Sequence, residues 1–210
     1  MKHLSIFILT LTLSLSATAQ TKLAGEEQKQ VLEKIDKAAT GMKSMQCDFL
    51  QTKTMKMLKH DMVSKGVMYF KHPNQLRWQY TSPYDYIFIL NGEKVNIKST
   101  KSSQQIDVQK NKMFRQITGI ILNSITGGNL KNSADFTVEI YRSGKSHFAR
   151  LYPKKKELKQ IYQTIEIHFN PALTMVSSVR MTEKTGDVTV VQLQNVKTNI
   201  AINAKMFDTH

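Results

Sequence analysis

Cysteine is almost absent from this 210-residue chain: Cys47 is the only one, so the chain cannot form an internal disulfide. A lone exposed thiol would invite pairing between molecules in an oxidising compartment. We therefore expect Cys47 to be buried beside Phe49, where a small apolar side chain suits. A nucleophilic cysteine would need a histidine base close in space, and the sequence indicates none.

Residue patterns that carry chemistry are also missing. His60, His72, His147 and His168 have neither an i,i+4 histidine partner nor a cysteine companion, which argues against a metal site. The 16 Asp and Glu form no evident acid/base pair, and no Ser-His-Asp set or Gly-rich phosphate loop is present. The sequence predicts neither an enzyme nor a cofactor-binding protein. His168 falls on the polar face of its strand, where we expect it to be solvated.

The apolar run at the N-terminus, residues 4–15, is too short for a membrane span of ~20 residues. It follows a basic start, and small residues at Ala17 and Ala19 complete the pattern of a secretory signal. We predict a signal peptide over 1–19, cleaved after Ala19, and a single domain over 20–210. The alternative is an ordinary buried N-terminal helix. The residue directly after the cleavage site is Gln20 rather than cysteine, so an exported protein without its own lipid anchor is predicted.

Positive charge dominates, with 30 Lys and Arg, a formal net charge of +14 and a pI near 9.8. Inside a cell this balance would point first to nucleic acid. Outside the cytoplasm, anionic lipid headgroups or an acidic partner surface are favoured. The charges are dispersed, and the one tight run, residues 154–156, is interpreted as a solvated loop between strands.

Helical periodicity is found in two segments, 26–42 and 111–125. Gly119 weakens the second helix by about 1 kcal/mol relative to Ala. That helix would either plug the sheet or act as a mobile cover, and periodicity alone favours the plug. Elsewhere the alternation has period two and predicts eleven strands. They are 45–56, 63–71, 75–81, 86–90, 94–99, 104–109, 136–141, 147–152, 161–169, 175–182 and 188–196.

This order predicts a mainly β fold of the α+β class. An antiparallel sheet of so many strands is too long to stay flat, so it should curl strongly or partly close, with helices over one open face. Curling or covering also removes exposed strand edges.

The most informative stretch is 66–92, which holds the only Trp and four of the seven Tyr. Large apolar side chains recur at inward strand positions there and in the 161–169 strand. In a small sandwich they would fill a core, whereas across a wide curled sheet they can line a cavity for an apolar ligand. Burying acyl chains supplies roughly 0.8 kcal/mol per CH₂. The candidates are Phe70, Leu76, Trp78, Phe88, Ile165, Ile167 and Phe169.

A set of residues concentrated between Cys47 and Val95 carries a family resemblance. It comprises Phe49, Gln51, Gly66, Phe70, Pro73, Arg77, Trp78, Tyr80, Pro83, Asn91 and Gly92, with weaker agreement at 151–154 and Phe207. In this set the chain resembles the LolA family of periplasmic lipoprotein carriers. The resemblance implies an incomplete antiparallel β-barrel with helices as a lid over an apolar cavity.

The resemblance also implies a function. Such proteins take lipoproteins from an ATP-driven release complex of the inner membrane and pass them to an outer-membrane receptor. By position, Leu76 and Trp78 would line the cavity, while Ile120, Ile121 and Leu122 would belong to the lid. The second helix is then a cover rather than a plug. We expect a periplasmic monomer with no enzymatic activity, cofactor or nucleic-acid partner.

One position departs from the family. Before the proline, many members carry an Arg that hydrogen-bonds the lid, whereas this chain has His72. Arg has five donors and a permanent charge, whereas a neutral His has one donor and ordinarily titrates near pH ~6.5. His72 is the candidate lid latch. The alternatives are a latch that is weaker than the family's, one that is pH-sensitive, and one made elsewhere.

Two alternatives to lipoprotein transport stay open. One is a binding module of the same fold, either an envelope-stress sensor or a shuttle for another amphiphile such as a glycolipid or pigment precursor. The other is a lipid hydrolase, for which the sequence offers no nucleophile and base pair.

Overall fold

The computed structural model describes residues 20–99, 103–107 and 112–208; the predicted signal peptide lies outside these ranges. The described residues form twelve strands, three α-helices and one 3₁₀ helix, η1. The helices are α1 (Gly25–Gly41), α2 (Lys112–Thr126), α3 (Lys156–Ile161) and η1 (Ala204–Phe207). The strands are β1 (Gln20–Lys22), β2 (Ser44–Thr54), β3 (Met62–Lys71), β4 (Gln75–Ser82), β5 (Tyr86–Asn91), β6 (Lys94–Ser99), β7 (Ser103–Asp107), β8 (Phe136–Ser143), β9 (Ser146–Pro153), β10 (Tyr162–Phe169), β11 (Val176–Glu183) and β12 (Val188–Thr198).

All twelve strands join one antiparallel sheet in the order β1-β8-β9-β10-β11-β12-β2-β3-β4-β5-β6-β7. The sheet is open, with β1 and β7 as its edges. It is also strongly curled, because side chains of β5 and β10, six places apart in this order, line the same cavity. The predicted incomplete, curled antiparallel barrel is confirmed.

Two clusters of buried side chains stabilise the two halves of the sheet. One lies between α1 and strands β8–β11 and includes Val31, Ile35, Ile165 and Ile167. The other lies on β2–β6 and includes Met45, Cys47, Phe49, Phe70 and Leu76, with Ile125 from α2. The amphipathic stripe predicted for the first helix therefore packs on one half of the sheet. Helix α2 spans both halves, because it contributes Ile120 to the first cluster and Ile125 to the second.

Cys47 is buried in the second cluster on the same strand face as Phe49, as predicted. Burial, reinforced by the nearby Asp48 carboxylate, raises the pKa of its thiol to about 12. The thiol therefore stays protonated at neutral pH, which suits a structural residue.

Several predicted boundaries need correction around β10. Residues 156–161 form α3 rather than continuing a loop and strand, so Ile161 is exposed instead of facing inward. A register shift between Tyr162 and Thr164 then changes which residues point into the sheet's concave side. The short strand β1 and the helix η1 were not predicted, because three or four residues carry too little periodicity.

His168 is half-buried rather than solvated. Its ring stacks on Phe148 with the centroids 4.9 Å apart, and its Nε2 lies 3.3 Å from Oε2 of Glu166. Phe148 also stacks on Tyr141, 5.1 Å away, so an aromatic row covers this part of the sheet's outer face. Cross-strand neighbours bring these rings together, which the sequence of one strand cannot show.

None of the helices in the described ranges combines the length and apolar character needed to cross a membrane.

Candidate functional site

A cavity of about 270 Å³ lies between the concave face of the sheet and α2. Its lining is almost entirely apolar or aromatic, and none of the described lining residues is Asp, Glu, Lys, Arg or His. The lining residues are Gln51, Leu76, Trp78, Tyr80, Tyr86, Phe88, Ile120, Ile121, Tyr162, Met181 and Val191.

Strand β4 supplies the wall that the sequence singled out. Its alternate residues Leu76, Trp78 and Tyr80 face the cavity, because successive side chains of a strand point to opposite faces. Antiparallel pairing sets Trp78 opposite Phe88 and Tyr80 opposite Tyr86. The wall is thus built from cross-strand aromatic pairs on one face of β4 and β5.

Phe49 packs against the aromatic rings of this wall and belongs to the second core cluster. Its ring centroid lies 4.5 Å from that of Trp78 and 5.1 Å from that of Tyr80, which it meets edge-on. Phe49 is paired across the sheet with Gly66, which has no side chain and leaves space for the ring. Such offset and edge-on aromatic contacts add about 0.5–1.5 kcal/mol beyond burial of area and hold the rings in place.

Polar groups in the cavity come mainly from tyrosines. The Tyr80 hydroxyl donates to Oε1 of Gln51 at 2.9 Å. Burial raises the pKa of Tyr80, Tyr86 and Tyr162 above the ordinary tyrosine value, so all three stay neutral across physiological pH. The Trp78 side chain is close enough to the Tyr80 hydroxyl to favour its ionised form slightly, but the indole N–H meets no acceptor at hydrogen-bond geometry.

The roof of the cavity is the second half of α2. Ile120 and Ile121 face the cavity, and a further space of about 60 Å³ extends from it beneath Ser124 and Ile125. This extension is closed on the sheet side by Val179 and other apolar residues of β11 and β12.

The predicted site residues fall into three places. Leu76, Trp78, Phe88, Ile120 and Ile121 line the cavity together. Phe70, Leu122 and His72 instead line a separate groove of about 310 Å³ between α1, α2 and the β3–β4 turn. Ile165 and Ile167 lie in the first core cluster, under α1, and do not line the cavity.

His72 is exposed at the wall of that groove, across from Asn123 and Thr126 of α2. Its backbone N–H donates to the carbonyl of Lys43 at 2.9 Å, while its imidazole makes no hydrogen bond with the described part of the chain. The groove also carries Asp36 of α1. The latch role of His72 therefore stays a prediction.

Sequence reasoning missed about half of the lining. Tyr80 and Tyr86 lie in the aromatic stretch, so their type and alternation were a usable signal. Strict alternation over the predicted strand 161–169 puts Tyr162 on the face opposite Ile165 and Ile167, whereas the register shift at the start of β10 turns it towards the cavity. Met181 and Val191 come from β11 and β12, whose approach to β4 depends on the curl of the sheet.

The lining of this site favours the binding of apolar groups. Its lining offers no nucleophile and base pair, and within the described ranges no group of three His, Cys, Asp or Glu could hold a metal ion. An enclosed apolar space with a few neutral polar groups at its side is typical of a site for apolar ligands.

Comparison with known proteins shows the family. The profile of the family described as "Outer membrane lipoprotein carrier protein LolA" matches residues 40–210, which is most of the chain. The chain belongs to the LolA family. Membership indicates a carrier-like binding role, and the apolar cavity described above is the part of this LolA-family chain that suits it.

Curated relatives of this LolA-family chain carry the same name. An outer-membrane lipoprotein carrier protein of Methylococcus capsulatus is 23% identical over 166 residues, 79% of this chain and 76% of its own length. One from Francisella tularensis is 26% identical over 176 residues, 84% of this chain and 81% of its own. One from Legionella pneumophila is 26% identical over 144 residues, which is 69% of this chain and 68% of its own length.

Solved structures agree on the fold at low identity. A conserved protein from Thermus thermophilus aligns with a TM-score of 0.51 at 9% identity, covering 86% of this chain and 93% of its own. The Pseudomonas aeruginosa MucA/MucB complex contains a chain that aligns with a TM-score of 0.50 at 10% identity. The alignment covers 87% of this chain and 60% of that one. At these identities the likeness shows that this LolA-family chain shares their fold.

Proposed function

We propose that this protein is a periplasmic carrier that shields the acyl chains of lipoproteins and moves them from the inner to the outer membrane. The observation that carries the proposal is the charge-free apolar cavity between the curled sheet and α2, in a chain of the LolA family. Acyl chains are the ligand for which such a lining is most favourable, because each buried CH₂ contributes about 0.8 kcal/mol.

The size of the cavity supports a role for α2 as a cover. About 270 Å³ lies just below the ~300–1,000 Å³ common for ligand pockets, so a multiply acylated cargo needs more room than the closed form provides. The sheet is a continuous hydrogen-bonded ladder, whereas α2 is joined to it by side-chain packing. Displacement of α2 therefore enlarges the cavity at the lowest cost.

The remaining parts of the proposal follow from the family and the N-terminal sequence. The basic start and the small residues at Ala17 and Ala19 support export and cleavage after Ala19, leaving one domain over 20–210. We infer that an ATP-driven inner-membrane complex supplies the lipoprotein and an outer-membrane receptor accepts it. The carrier would act as a monomer, without catalysis.

The test places a carboxylate inside the cavity. In Leu76→Glu and Ile121→Glu, the new charge faces the acyl chains and loses its hydration when they enter, so uptake should fall strongly. Gln79→Glu is the matched control, because it adds the same charge to the outer face of β4, where Arg77 donates to Gln79. Uptake of a fluorescent triacylated lipopeptide measures the effect, and circular dichroism checks folding.

Leu76 is buried whereas Ile121 is half-buried, so Ile121→Glu remains informative if Leu76→Glu fails to fold. Normal lipopeptide uptake by a folded Ile121→Glu protein would contradict the proposal. Lipids co-purified from native periplasm separate the cargo classes, since lipoprotein acyl groups should dominate. A predominance of glycolipid or pigment precursor would instead support the alternative binding module.

A further inference from the structure

The exposed large apolar side chains of the described residues gather at one edge of the molecule. Met57 is 93% exposed at the tip of the β2–β3 loop, with Leu58 (49%) beside it, and Met62 and Val63 are exposed at the start of β3. Tyr84, 60% exposed, lies in the β4–β5 loop. The pairing of Lys65 with Ser82 brings these two loops to the same end of the sheet.

The tip of the β2–β3 loop is held in place by hydrogen bonds. The N–H of Leu58 donates to the carbonyl of Met55 at 3.0 Å and closes a turn around Met57. The N–H of Lys56 donates to the Asp187 carboxylate at 3.1 Å, and the Lys56 side chain lies over Gly186 in the β11–β12 turn. An anchored turn that presents a methionine to solvent indicates an interaction surface.

The same edge carries one end of the cavity. Tyr86 and Tyr162, which line the cavity, are the first residues of β5 and β10, and Tyr80 lies near the end of β4. Ile161, also exposed, immediately precedes Tyr162. The exposed apolar residues therefore stand beside the tyrosine end of the cavity rather than on a remote face.

Lysines surround this apolar edge. Lys56, Lys59, Lys65 and Lys184 form no ion pair within the described part of the chain, whereas Glu183 is paired with Lys53 at 3.2 Å. Asp187 already accepts the Lys56 N–H, which leaves Asp61 and Asp85 as the other acidic groups of the edge. The unpaired groups are thus mainly basic, in a chain of net charge +14.

We propose that this edge docks on an anionic lipid bilayer. Met57 and Leu58 would enter the headgroup region, and the neighbouring lysines would contact anionic headgroups. Docking would turn the tyrosine end of the cavity to the membrane. The passage of acyl chains between bilayer and cavity rests on the proposed function, whereas the membrane contact itself does not.

The experiment measures sedimentation of the full chain, without cargo, with vesicles of phosphatidylcholine alone or mixed with phosphatidylglycerol. We expect binding to the mixed vesicles only, weakening as salt is raised. Met57→Glu and Leu58→Glu should each reduce the partition coefficient about tenfold, since burying such a side chain contributes about 1.5–3 kcal/mol. Gln192→Glu, exposed in the middle of β12, is the control for the change of charge.

The outcomes separate this proposal from the carrier function. Equal binding to both vesicle types, no binding, or an unchanged Met57→Glu protein would overturn membrane docking. If Met57→Glu instead abolishes binding to an outer-membrane receptor protein while vesicles are never bound, the edge is a protein interface and the proposal is wrong. Lipopeptide uptake in the absence of vesicles should be the same in Met57→Glu as in the wild type. If the wild-type protein takes up no lipopeptide, that result would contradict only the carrier function.

Discussion

Gly66 is the residue over which the Phe49 ring, a support of the aromatic cavity wall, lies on the backbone of the sheet. A Cβ atom at this position would lie 2.1 Å from the carbonyl oxygen of Gln79 and 2.4 Å from Cζ of Phe49. Both contacts are far inside van der Waals distance, and one of them is to backbone. The β3–β4 register shift between Lys65 and Gly66 produces this close approach.

Gly66→Ala should therefore destabilise the fold by about 2 kcal/mol or more, because overpacking a rigid site displaces the Phe49 ring or the β4 backbone. Chemical denaturation measures the free energy of unfolding. Gly41→Ala, at the end of α1, is the matched control, since a Cβ there meets nothing within 4 Å. A Gly66→Ala protein as stable as the control would show that the sheet relaxes freely at this point.

At the scale of elements, α2 covers the cavity, and its second half packs on the sheet through Ile120 and Ile125. Its last turn contains no basic residue, so no side chain of that turn offsets the partial negative charge of the C-terminal end of the helix. His72 lines the groove beside that end, together with Asp36 and Asn123. A cation at position 72 would meet the helix end and the Asp36 carboxylate.

We expect His72→Arg to hold α2 more firmly over the cavity. The guanidinium has five donors for the exposed carbonyl and carboxylate oxygens of the groove, whereas the present imidazole makes no hydrogen bond with the described residues. Hydrogen exchange of the amides of α2 should slow about fivefold, as about 1 kcal/mol of added stability requires. Lipopeptide uptake should slow with it.

His72→Gln serves as the control for His72→Arg, because it keeps a hydrogen-bonding side chain without the permanent charge. Unchanged exchange in α2 of the Arg variant, with normal folding, would contradict a latch at position 72. Slowed exchange throughout the sheet would instead indicate a general gain in stability.

For the whole molecule, the C-terminal segment joins distant parts of the chain. After β12, η1 returns to the outer face of β4 and β5, where Phe207 is fully buried. Arg77 of β4 donates to the carbonyl of Met206 at 3.3 Å, and the Asn203 side chain caps η1 by accepting from the N–H of Lys205. The wall that faces the cavity is thus supported from behind.

Phe207→Ala should cost about 3–5 kcal/mol, the usual loss for a fully buried phenylalanine. The expected result is a lower midpoint of thermal unfolding. Lipopeptide affinity should fall only if the substitution also disorders the cavity wall formed by β4 and β5. Thermal unfolding followed by circular dichroism measures the first, and lipopeptide titration the second. Lys205→Ala, an exposed change in the same helix, is the control, and an equal effect of both substitutions would contradict a packing role for Phe207.

The features of the fold and site that the sequence predicts are those set by residues close together in the chain. The alternation in β2–β6 and the helical spacing of α1 and α2 are local signals, and their elements match within a few residues. Cys47 was assigned to the core because a lone exposed thiol would invite pairing between molecules and because it lies close to Phe49 in the sequence. Ile161 and His168 were misplaced, because α3, a register shift and ring stacking on Phe148 involve the pairing of β10 with its neighbours.

The sequence by itself determined the mainly β class and the wall of Leu76, Trp78 and Phe88. Each follows from residue type and period, which are properties of one strand at a time. Only the tertiary structure decided that Tyr162, Met181 and Val191 share the cavity while Ile165 and Ile167 do not. The curl of a twelve-stranded sheet sets which distant faces meet, and curl arises from all the strands together.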